Sequence, residues 1–285
     1  AVILAHNYQP PEIQDIADHL GDSLDLSRLA QRIEEQTIIF CGVHFMAETA
    51  AILSPEKKVI LPEPTAGCPM ADMLSADELD SLKSDHPGAV VVMYVNSTAE
   101  VKAQTDICCT SANAVKVVES IPEGRAVIFG PDKYLGGWVR KQTGRDMILW
   151  DGYCPSHQRI LPEQIEGLRK QYPGAVVMVH PEVNPSVAEV ADQVLGTGGM
   201  IHFAGESDAE TFIVGTETGM VYRLEKLYTD KRFIPASSQA VCPNMKKISL
   251  EKVLASLETA EPVIKVPKEV AGRALSSIER MIEIG

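Results

Sequence analysis

The chain has 285 residues, of which 45% are hydrophobic and 23% are charged, and its formal net charge is −13. This is the composition of an ordinary globular protein with a large core. The acidic balance argues against non-specific binding to nucleic acid or anionic membranes, and no apolar run reaches the roughly 18–20 residues of a transmembrane helix.

The first predicted element is a buried strand at Val2–Ala5. It begins without a Met or a lead-in, so we expect further residues to precede Ala1. No secretory signal opens the sequence, and its six cysteines therefore argue against a disulfide scaffold. We expect a cytoplasmic protein.

Short apolar runs then alternate with helical patterns. The predicted elements that follow are, in order, a helix from about Pro11, a short segment near His19, a helix from Ser23, a strand at Thr37–Cys41, a helix from about His44 to Leu53, a strand at Val59–Leu61 and a helix from about Ser75 to Asp85. Runs of β-branched residues joined by helices indicate parallel strands that are buried on both faces.

The same series occurs three times. The segment 87–91 (PGAVV) recurs at 173–177, 86 residues later, and an offset of 88 residues maps the opening of the chain onto the second unit. A repeat of this kind fixes the fold. We predict three homologous three-layer α/β/α domains with short parallel four-stranded sheets and right-handed crossovers, arranged with pseudo-threefold symmetry around a central site.

The predicted domains are residues 1–86, 87–172 and 173–285. The last one includes the start of a fourth copy, a strand at Val263–Val266 and then a helix from Pro267 to about Ile284. Because no long linker separates the units, we expect them to pack closely. Ligands of parallel α/β sheets bind beyond the carboxyl ends of the strands, so three such ends would meet at one site.

Each unit carries one Cys-Pro loop after its last strand, at Cys68, Cys154 and Cys242. The loops can hold unrelated thiols, a disulfide with one cysteine left over, a zinc ion, or an iron–sulfur cluster. Zinc thiolate sites normally pair their ligands in Cys-x2–4-Cys knuckles, which this chain lacks. We therefore favour a cluster in which one iron keeps an open position for substrate. The remaining cysteines are expected to be buried and inert: Cys41, Cys108 and Cys109.

Polar side chains recur where the first strand of each unit ends. The first level consists of His6, Tyr94 and His180. The second level, two residues further along each strand, consists of Tyr8, Asn96 and Glu182. Residues two apart on an extended chain share a face, so both levels can point into one cavity. His and Glu are the usual general acid–base groups, and a well-placed Tyr can serve as well.

Hydroxyl residues open one helix of each unit in the same register: Ser23, Ser111 and Thr197. One such residue alone would be interpreted as a helix N-cap, but three at the mouth of one site predict anion pockets made of a hydroxyl and helix N-terminal amides. The sequence leaves the roles of three further residues undecided. His157 can lie beside a group held by Cys154, and Lys246 and Lys247 can face either an anion or solvent.

Taken together, several motifs resemble those of the quinolinate synthase family. They are Ile3-Leu4-Ala5-His6-Asn7-Tyr8-Gln9, Gly21-Asp22-Ser23-Leu24, Gly42-Val43-His44-Phe45-Met46-Ala47-Glu48, Cys68-Pro69-Met70-Ala71, Tyr94-Val95-Asn96-Ser97-Thr98, Thr110-Ser111-Ala112-Asn113, Cys154-Pro155-Ser156-His157-Gln158, Val179-His180-Pro181-Glu182 and Val241-Cys242-Pro243-Asn244-Met245-Lys246-Lys247. The resemblance covers essentially the whole chain.

The resemblance implies three similar α/β domains in a triangle around a [4Fe-4S] cluster. It implies an enzyme that condenses iminoaspartate with dihydroxyacetone phosphate, with loss of phosphate and two waters, to give quinolinate for NAD biosynthesis. It also implies a functional link to an aspartate-oxidising enzyme that supplies iminoaspartate, and no nucleic-acid or membrane partner.

Carried over to this sequence, the resemblance implies that the cluster is held by Cys68, Cys154 and Cys242. The residues implied to line the substrate site are His6, Ser23, Tyr94, Asn96, Ser111, His180, Glu182 and Thr197. The residues implied to be catalytic are Tyr8, His180 and Glu182. Many relatives have Ser-Thr-Gly where this chain has Gly196-Thr197-Gly198, so one anion-binding hydroxyl is absent.

Two other classes of function stay open. Another iron–sulfur hydro-lyase acting on a hydroxy-acid would need the same three thiolates but no phosphate pocket. An iron or redox sensor would need a partner surface, such as a basic helix-turn-helix or an exposed apolar face, and the sequence indicates neither.

Overall fold

A computed structural model of the protein describes residues 1–284 and contains three four-stranded sheets. Every strand pair within these sheets is parallel, and helices flank each sheet. The predicted α/β class with three four-stranded units is confirmed.

The first unit contains β1 Val2–His6, α1 Pro11–Ile16, β2 His19–Gly21, α2 Ser23–Arg32, β3 Thr37–Cys41, α3 His44–Leu53, β4 Lys58–Ile60 and α4 Ala76–Asp85. The second contains β5 Val90–Tyr94, α5 Ala99–Lys102, β6 Ile107–Cys109, α6 Ala114–Glu119, β7 Val127–Gly130, α7 Lys133–Thr143, β8 Met147–Leu149 and α8 Pro162–Gln171. The third contains β9 Val176–Val179, α9 Pro185–Glu189, β10 Gln193–Val194, α10 Thr197–Glu206, β11 Thr211–Gly215, α11 Gly219–Leu227, β12 Arg232–Pro235 and α12 Leu250–Thr259, before a last helix, α13 Lys268–Ile284.

The three sheets share one strand order, which fixes where a ligand can bind. The orders are β2-β1-β3-β4, β6-β5-β7-β8 and β10-β9-β11-β12. In each sheet the second strand of the unit lies on one side of the first strand, and the third strand lies on its other side. A crevice therefore opens between the carboxyl ends of the first and third strands, where open parallel sheets bind their ligands.

The strands are apolar on both faces because helices cover both faces. Leu4, Ile39, Val92, Ile128 and Ile213 are fully buried. Each such side chain contributes about 1.5–3 kcal/mol by leaving water.

The C-terminal segment differs from the predicted fourth copy. In place of a strand at Val263–Val266, Val263 forms one antiparallel bridge with Ile60. The helix that follows is present as α13, which buries Ala274, Ile278 and Met281 while packing on α3, α5 and β6 of the first two units. The segment at Val263–Val266 thus runs along the edge strand β4 as a short connection that leads into α13. No helix within residues 1–284 combines the length and apolarity needed to span a membrane.

Candidate functional site

The structure brings all the predicted site residues around one cavity. They are His6, Tyr8, Ser23, Cys68, Tyr94, Asn96, Ser111, Cys154, His180, Glu182, Thr197 and Cys242. Every unit contributes one cysteine, one hydroxyl residue and the polar end of its first strand. The cavity therefore lies where the carboxyl ends of the three sheets meet.

The two strand-end histidines adopt the same local geometry. The backbone N–H of Tyr8 donates to Nδ1 of His6 over 3.1 Å, and that of Glu182 donates to Nδ1 of His180 over 3.3 Å. Accepting at Nδ1 places the ring proton on Nε2 in both histidines. Burial lowers the pKa of His6 and of His180 to about 3, against an opposing effect of Glu182. Both rings are thus neutral Nε2–H donors at neutral pH.

Glu182 is the buried anion of the cavity. Its Oε1 accepts a hydrogen bond of 2.5 Å from the Tyr94 hydroxyl, and its Oε2 lies 2.9 Å from Nδ1 of His157. Burial by itself raises the pKa of Glu182, but the nearby His157 and His180 and the hydrogen bond from Tyr94 outweigh burial and lower it. The carboxylate is ionised at neutral pH and can accept a proton.

The two cavity tyrosines stay protonated. Burial, with Glu182 adding to it, raises the pKa of Tyr8 and of Tyr94 well above 10. The Tyr8 hydroxyl lies 2.5 Å from that of Thr216, which in turn lies 2.9 Å from Nε2 of His157.

His157 is buried and belongs to the site. Its ring stacks on that of His180, with centroids 4.8 Å apart. Its sequence position, three residues after Cys154, was the only indication of this role.

The three cysteine loops share a structure that the sequence repeat predicted. Each cysteine is followed by one turn of 3-10 helix, at Ala71–Met73, His157–Arg159 and Met245–Lys247. Backbone N–H groups of these segments lower the pKa of the sulfurs against the effect of burial: those of Met70 and Ala71 act on Cys68, that of His157 on Cys154, and those of Asn244 and Met245 on Cys242. Such donors stabilise a thiolate.

The donor set fits a bound metal or metal cluster. Cys68, Cys154 and Cys242 are free of disulfides. Burial raises the pKa of Cys68 to about 12, with an ionised Cys242 adding to it, and burial also raises the pKa values of Cys154 and Cys242. Thiols of this kind stay protonated until a metal displaces the proton, and grouped sulfur ligands suit soft metals and iron–sulfur clusters.

A second group of donors can also hold a metal ion. Ligand atoms of Cys154, His157 and Glu182 all lie within 4.8 Å of one another. Both ring nitrogens of His157 already face oxygens, of Glu182 and of Thr216, so a metal there must displace one of these contacts.

Two buried carboxylates that the sequence analysis missed hold the second and third cysteine loops. Asp132 accepts from the backbone N–H of Cys154 over 2.9 Å, and Glu217 accepts from that of Cys242 over 3.1 Å. Burial, with Glu182 adding to it, raises the pKa of Asp132 to about 7. Lys246 pairs with Glu217 at 2.9 Å. A signal was present, because an acidic residue follows two positions after the glycine that ends β7 and β11.

Lys247, the other lysine whose role the sequence left undecided, takes no part in the Lys246–Glu217 ion pair. Lys247 is part of the same 3-10 turn and donates to the backbone carbonyl of Thr65 over 2.7 Å.

The three hydroxyl residues lie together but are not helix N-caps. Thr197 accepts from the Asn7 side chain over 3.1 Å, and Ser111 lies 3.2 Å from Nε2 of His180. The predicted use of helix amides needs a correction in the first unit. There the Asp22 carboxylate caps α2 and already accepts from the N–H groups of Leu24 and Asp25.

Gly196, which precedes Thr197 in the third unit, lies close to Ser111 of the second unit. A Cβ atom at this position would lie 2.9 Å from Oγ of Ser111. The hydroxyl of Ser111 therefore occupies space that a serine at 196 would need.

Comparison with known proteins identifies one family over nearly the whole chain. The family described as "Quinolinate synthetase A protein" matches residues 1–283. A protein named quinolinate synthase from Dehalococcoides mccartyi strain CBDB1 is 60% identical over 284 residues, which cover 100% of this chain and 94% of the relative.

More distant relatives carry the same name. The quinolinate synthase of Geotalea uraniireducens is 52% identical over 283 residues, covering 99% of this chain and 93% of the relative. That of Desulforudis audaxviator is 52% identical over 284 residues, covering 100% and 94%.

Proposed function

The chain belongs to the quinolinate synthase family of enzymes, and from this premise we propose that it condenses iminoaspartate with dihydroxyacetone phosphate to give quinolinate, phosphate and water. The observation that carries the proposal is the convergence, in one cavity, of three thiols with the polar strand ends of all three sheets. The reaction needs a metal centre, anion pockets and several proton transfers, and the cavity offers residues suited to each.

Cys68, Cys154 and Cys242 would hold the metal centre as a [4Fe-4S] cluster. Three thiolates would leave one of the four irons without a protein ligand, and that iron would supply a Lewis acid for a substrate oxygen. The backbone N–H groups directed at the sulfurs support the thiolate form that this requires.

The substrates bring two carboxylates and one phosphate, and the cavity has three hydroxyl-bearing segments to receive them. Ser23, Ser111 and Thr197 would each donate to one anionic group. The neutral Nε2–H groups of His6 and His180 would add donors without adding positive charge. Within residues 1–284, Oδ1 of Asn96 is buried and lacks a hydrogen-bond partner, which suits a substrate N–H or O–H.

Proton transfer falls to the residues around Glu182. The Glu182 carboxylate would accept a proton during the condensation and return it to a leaving hydroxyl. His180, adjacent to Ser111, would donate to a developing oxyanion. Tyr8, which lines the same cavity, would contact the substrate directly.

We also propose that the chain has three domains, at residues 1–86, 87–172 and 173–285. The enzyme would act in the cytoplasm in NAD biosynthesis, supplied with iminoaspartate by an aspartate-oxidising enzyme.

The test is an anaerobic assay of metal-loaded protein with each substrate alone and with both. Quinolinate should form only when both are present. An iron–sulfur hydro-lyase acting on a hydroxy-acid is the alternative, favoured by the same three thiols. Turnover of a hydroxy-acid that does not depend on the triose phosphate would support this alternative and overturn the proposal.

A further inference from the structure

Lys102, the last residue of α5, is fully buried. Its ammonium group donates to the backbone carbonyl of Ser97, in the loop that follows β5, and lies 5.3 Å from the centroid of the Phe45 ring. Phe45 belongs to α3 of the first unit, so this contact joins two units. Burial lowers the pKa of Lys102, and Glu48 opposes this effect. Because burying an ammonium group is unfavourable, lysine is a costly residue at this position.

The first unit repeats the contact of Lys102 with its loop. An offset of 88 residues places Gln14 at the position of Lys102 and Gln9 at the position of Ser97. Gln14 is likewise buried, and its Nε2 donates to the carbonyl of Gln9 over 2.9 Å. In both units, therefore, a side chain of the short helix after the first strand donates to the carbonyl five residues before it.

Each of these two side chains also reaches a neighbouring unit at an equivalent place. Nε2 of Gln14 donates to the carbonyl of Gly219, the first residue of α11, over 3.0 Å. Both repeat offsets together map Phe45, which contacts Lys102, onto Gly219. The third unit has Ala188 at this position, and the alanine side chain has no donor. The fold itself does not require a polar side chain here, and those of the first two units act on the loops that they contact.

The contacts of Lys102 support the cavity wall from behind. Asn96 and Phe45 line the cavity, and Lys102 binds the residue that follows Asn96 while its ammonium group lies over the Phe45 ring. Within residues 1–284 the buried Oδ1 of Asn96 has no hydrogen-bond partner. The direction of this amide oxygen therefore depends on the backbone that carries it.

We infer that Lys102 is a positioning residue that fixes Asn96 in the cavity wall for contact with the substrate. The inference rests on the proposed function, because the substrate concerned is that of the condensation. With the loop held, Oδ1 of Asn96 would meet a substrate N–H or O–H group in one orientation. Without the Lys102 donor, the carbonyl of the fully buried Ser97 would lose its hydrogen bond, and the loop would rearrange to restore one.

Lys102→Met keeps an unbranched side chain of similar length and removes the donor. In the anaerobic quinolinate assay we expect kcat to fall about 10- to 100-fold, because a displaced contact group costs most in the reacting complex. Lys102→Gln should retain most of the wild-type kcat, because a glutamine at the equivalent position, Gln14, reaches the equivalent carbonyl. Iron and sulfide contents should match those of the wild type in both variants.

Lys231→Met is the matched control. The ammonium group of Lys231 also donates to backbone carbonyls, those of Ala204 and Ser207, and lies 5.7 Å from the centroid of the Phe212 ring. Lys231 has no contact with the loop that carries Asn96, so this variant should keep the wild-type kcat. A Lys102→Met variant with wild-type kcat, or a Lys102→Gln variant as slow as Lys102→Met, overturns the inference.

A second background separates positioning from general damage to the structure. If Lys102 acts through Asn96, adding Lys102→Met to Asn96→Ala should lower kcat/KM by less than about twofold, because the two changes remove one interaction. A fall as large as the one that Lys102→Met causes in the wild-type background would show that Lys102 does not act through Asn96.

Anaerobic crystal structures of the two Lys102 variants test the inference independently of turnover. We expect the Ser97 carbonyl and the Asn96 side chain to shift in Lys102→Met and to stay in place in Lys102→Gln. An unmoved Asn96 in Lys102→Met contradicts the inference. If the wild type forms no quinolinate, the proposed function fails, and the two structures still decide whether Lys102 fixes Asn96.

Discussion

The Asp132 carboxylate accepts a hydrogen bond of 2.9 Å from the backbone N–H of Cys154. Glu217 holds Cys242 in the same way. The equivalent residue of the first unit is Val43, which has no acceptor to offer Cys68. Two of the three cysteine loops are therefore held by a buried carboxylate, and the third is not.

We predict that Asp132→Asn weakens metal binding. The amide oxygen can still cap α7 through the N–H groups of Tyr134 and Leu135, but the amide NH2 then faces the N–H of Cys154, donor against donor. Residues that orient metal ligands typically contribute about 10- to 100-fold to metal affinity. We expect iron release to a chelator, measured by absorbance under anaerobic conditions, to be faster than in the wild type by about that factor.

Asp151→Asn is the control for this change. Asp151 lies three residues before Cys154, is exposed, and pairs with Lys133 on the surface. Such a pair contributes about 0–1 kcal/mol, so iron release should stay at the wild-type rate. Equal rates in Asp132→Asn and Asp151→Asn would show that the carboxylate does not hold the loop.

The cysteines should divide into two sets of three. Serine at position 68, 154 or 242 should abolish both the cluster absorbance and quinolinate formation, because each change removes a proposed ligand. Serine at the buried cysteines outside the cavity should spare both properties; these are Cys41, Cys108 and Cys109. Iron analysis and the product assay on all six variants measure this. A different set of essential cysteines would be incompatible with the three-loop site.

Glu182→Gln should separate catalysis from metal binding. The change keeps the shape of the side chain but removes the carboxylate that accepts from Tyr94 and lies 2.9 Å from Nδ1 of His157. Loss of a general base typically costs about 10²–10⁴ in rate. We expect kcat to fall by such a factor while iron and sulfide contents stay unchanged. Glu189→Gln, on the exposed side of α9, serves as the control and should be fully active. Wild-type kcat in Glu182→Gln would remove this residue from the proton transfers.

Acid should destabilise the protein through its buried histidines. Burial lowers the pKa of His6 and His180 to about 3, whereas an unfolded histidine titrates near 6.5. Between these values the unfolded chain binds more protons, so stability is full above pH about 6.5 and is lost as the pH falls toward 3. At pH 5 each histidine should cost about 2 kcal/mol.

Urea unfolding of the metal-free protein at pH 7 and pH 5 measures this loss. His6→Gln should reduce the difference between the two pH values, and the exposed His202→Gln should leave it unchanged. The same pH dependence in His6→Gln and in the wild type would refute the assignment.

The fold was largely predictable because strand and helix signals repeat in the sequence. Offsets of 86 and 88 residues placed His6, Tyr94 and His180 at equivalent strand ends, and the structure brings them to one cavity. The segment at Val263–Val266 was the exception, since its sequence is strand-like but the edge strand β4 accepts only one antiparallel bridge from it.

The parts of the site that the sequence did not reveal are those that break the repeat. Thr216, Asp132 and Glu217 lie one or two residues beyond third strands, at positions where the three units do not all carry the same type of residue. Their importance arises from contacts across units, such as that of Thr216 with Tyr8, which are 208 residues apart in the chain. Likewise, the cap that Asp22 forms on α2 depends on side-chain geometry and not on spacing.

The most direct test of the proposed function is the product formed by anaerobically prepared protein whose iron and sulfide contents have been determined. With iminoaspartate and dihydroxyacetone phosphate together, we expect quinolinate and an equal amount of phosphate, and no quinolinate when either substrate is omitted. Absence of quinolinate from protein that carries a full iron and sulfide complement would contradict it.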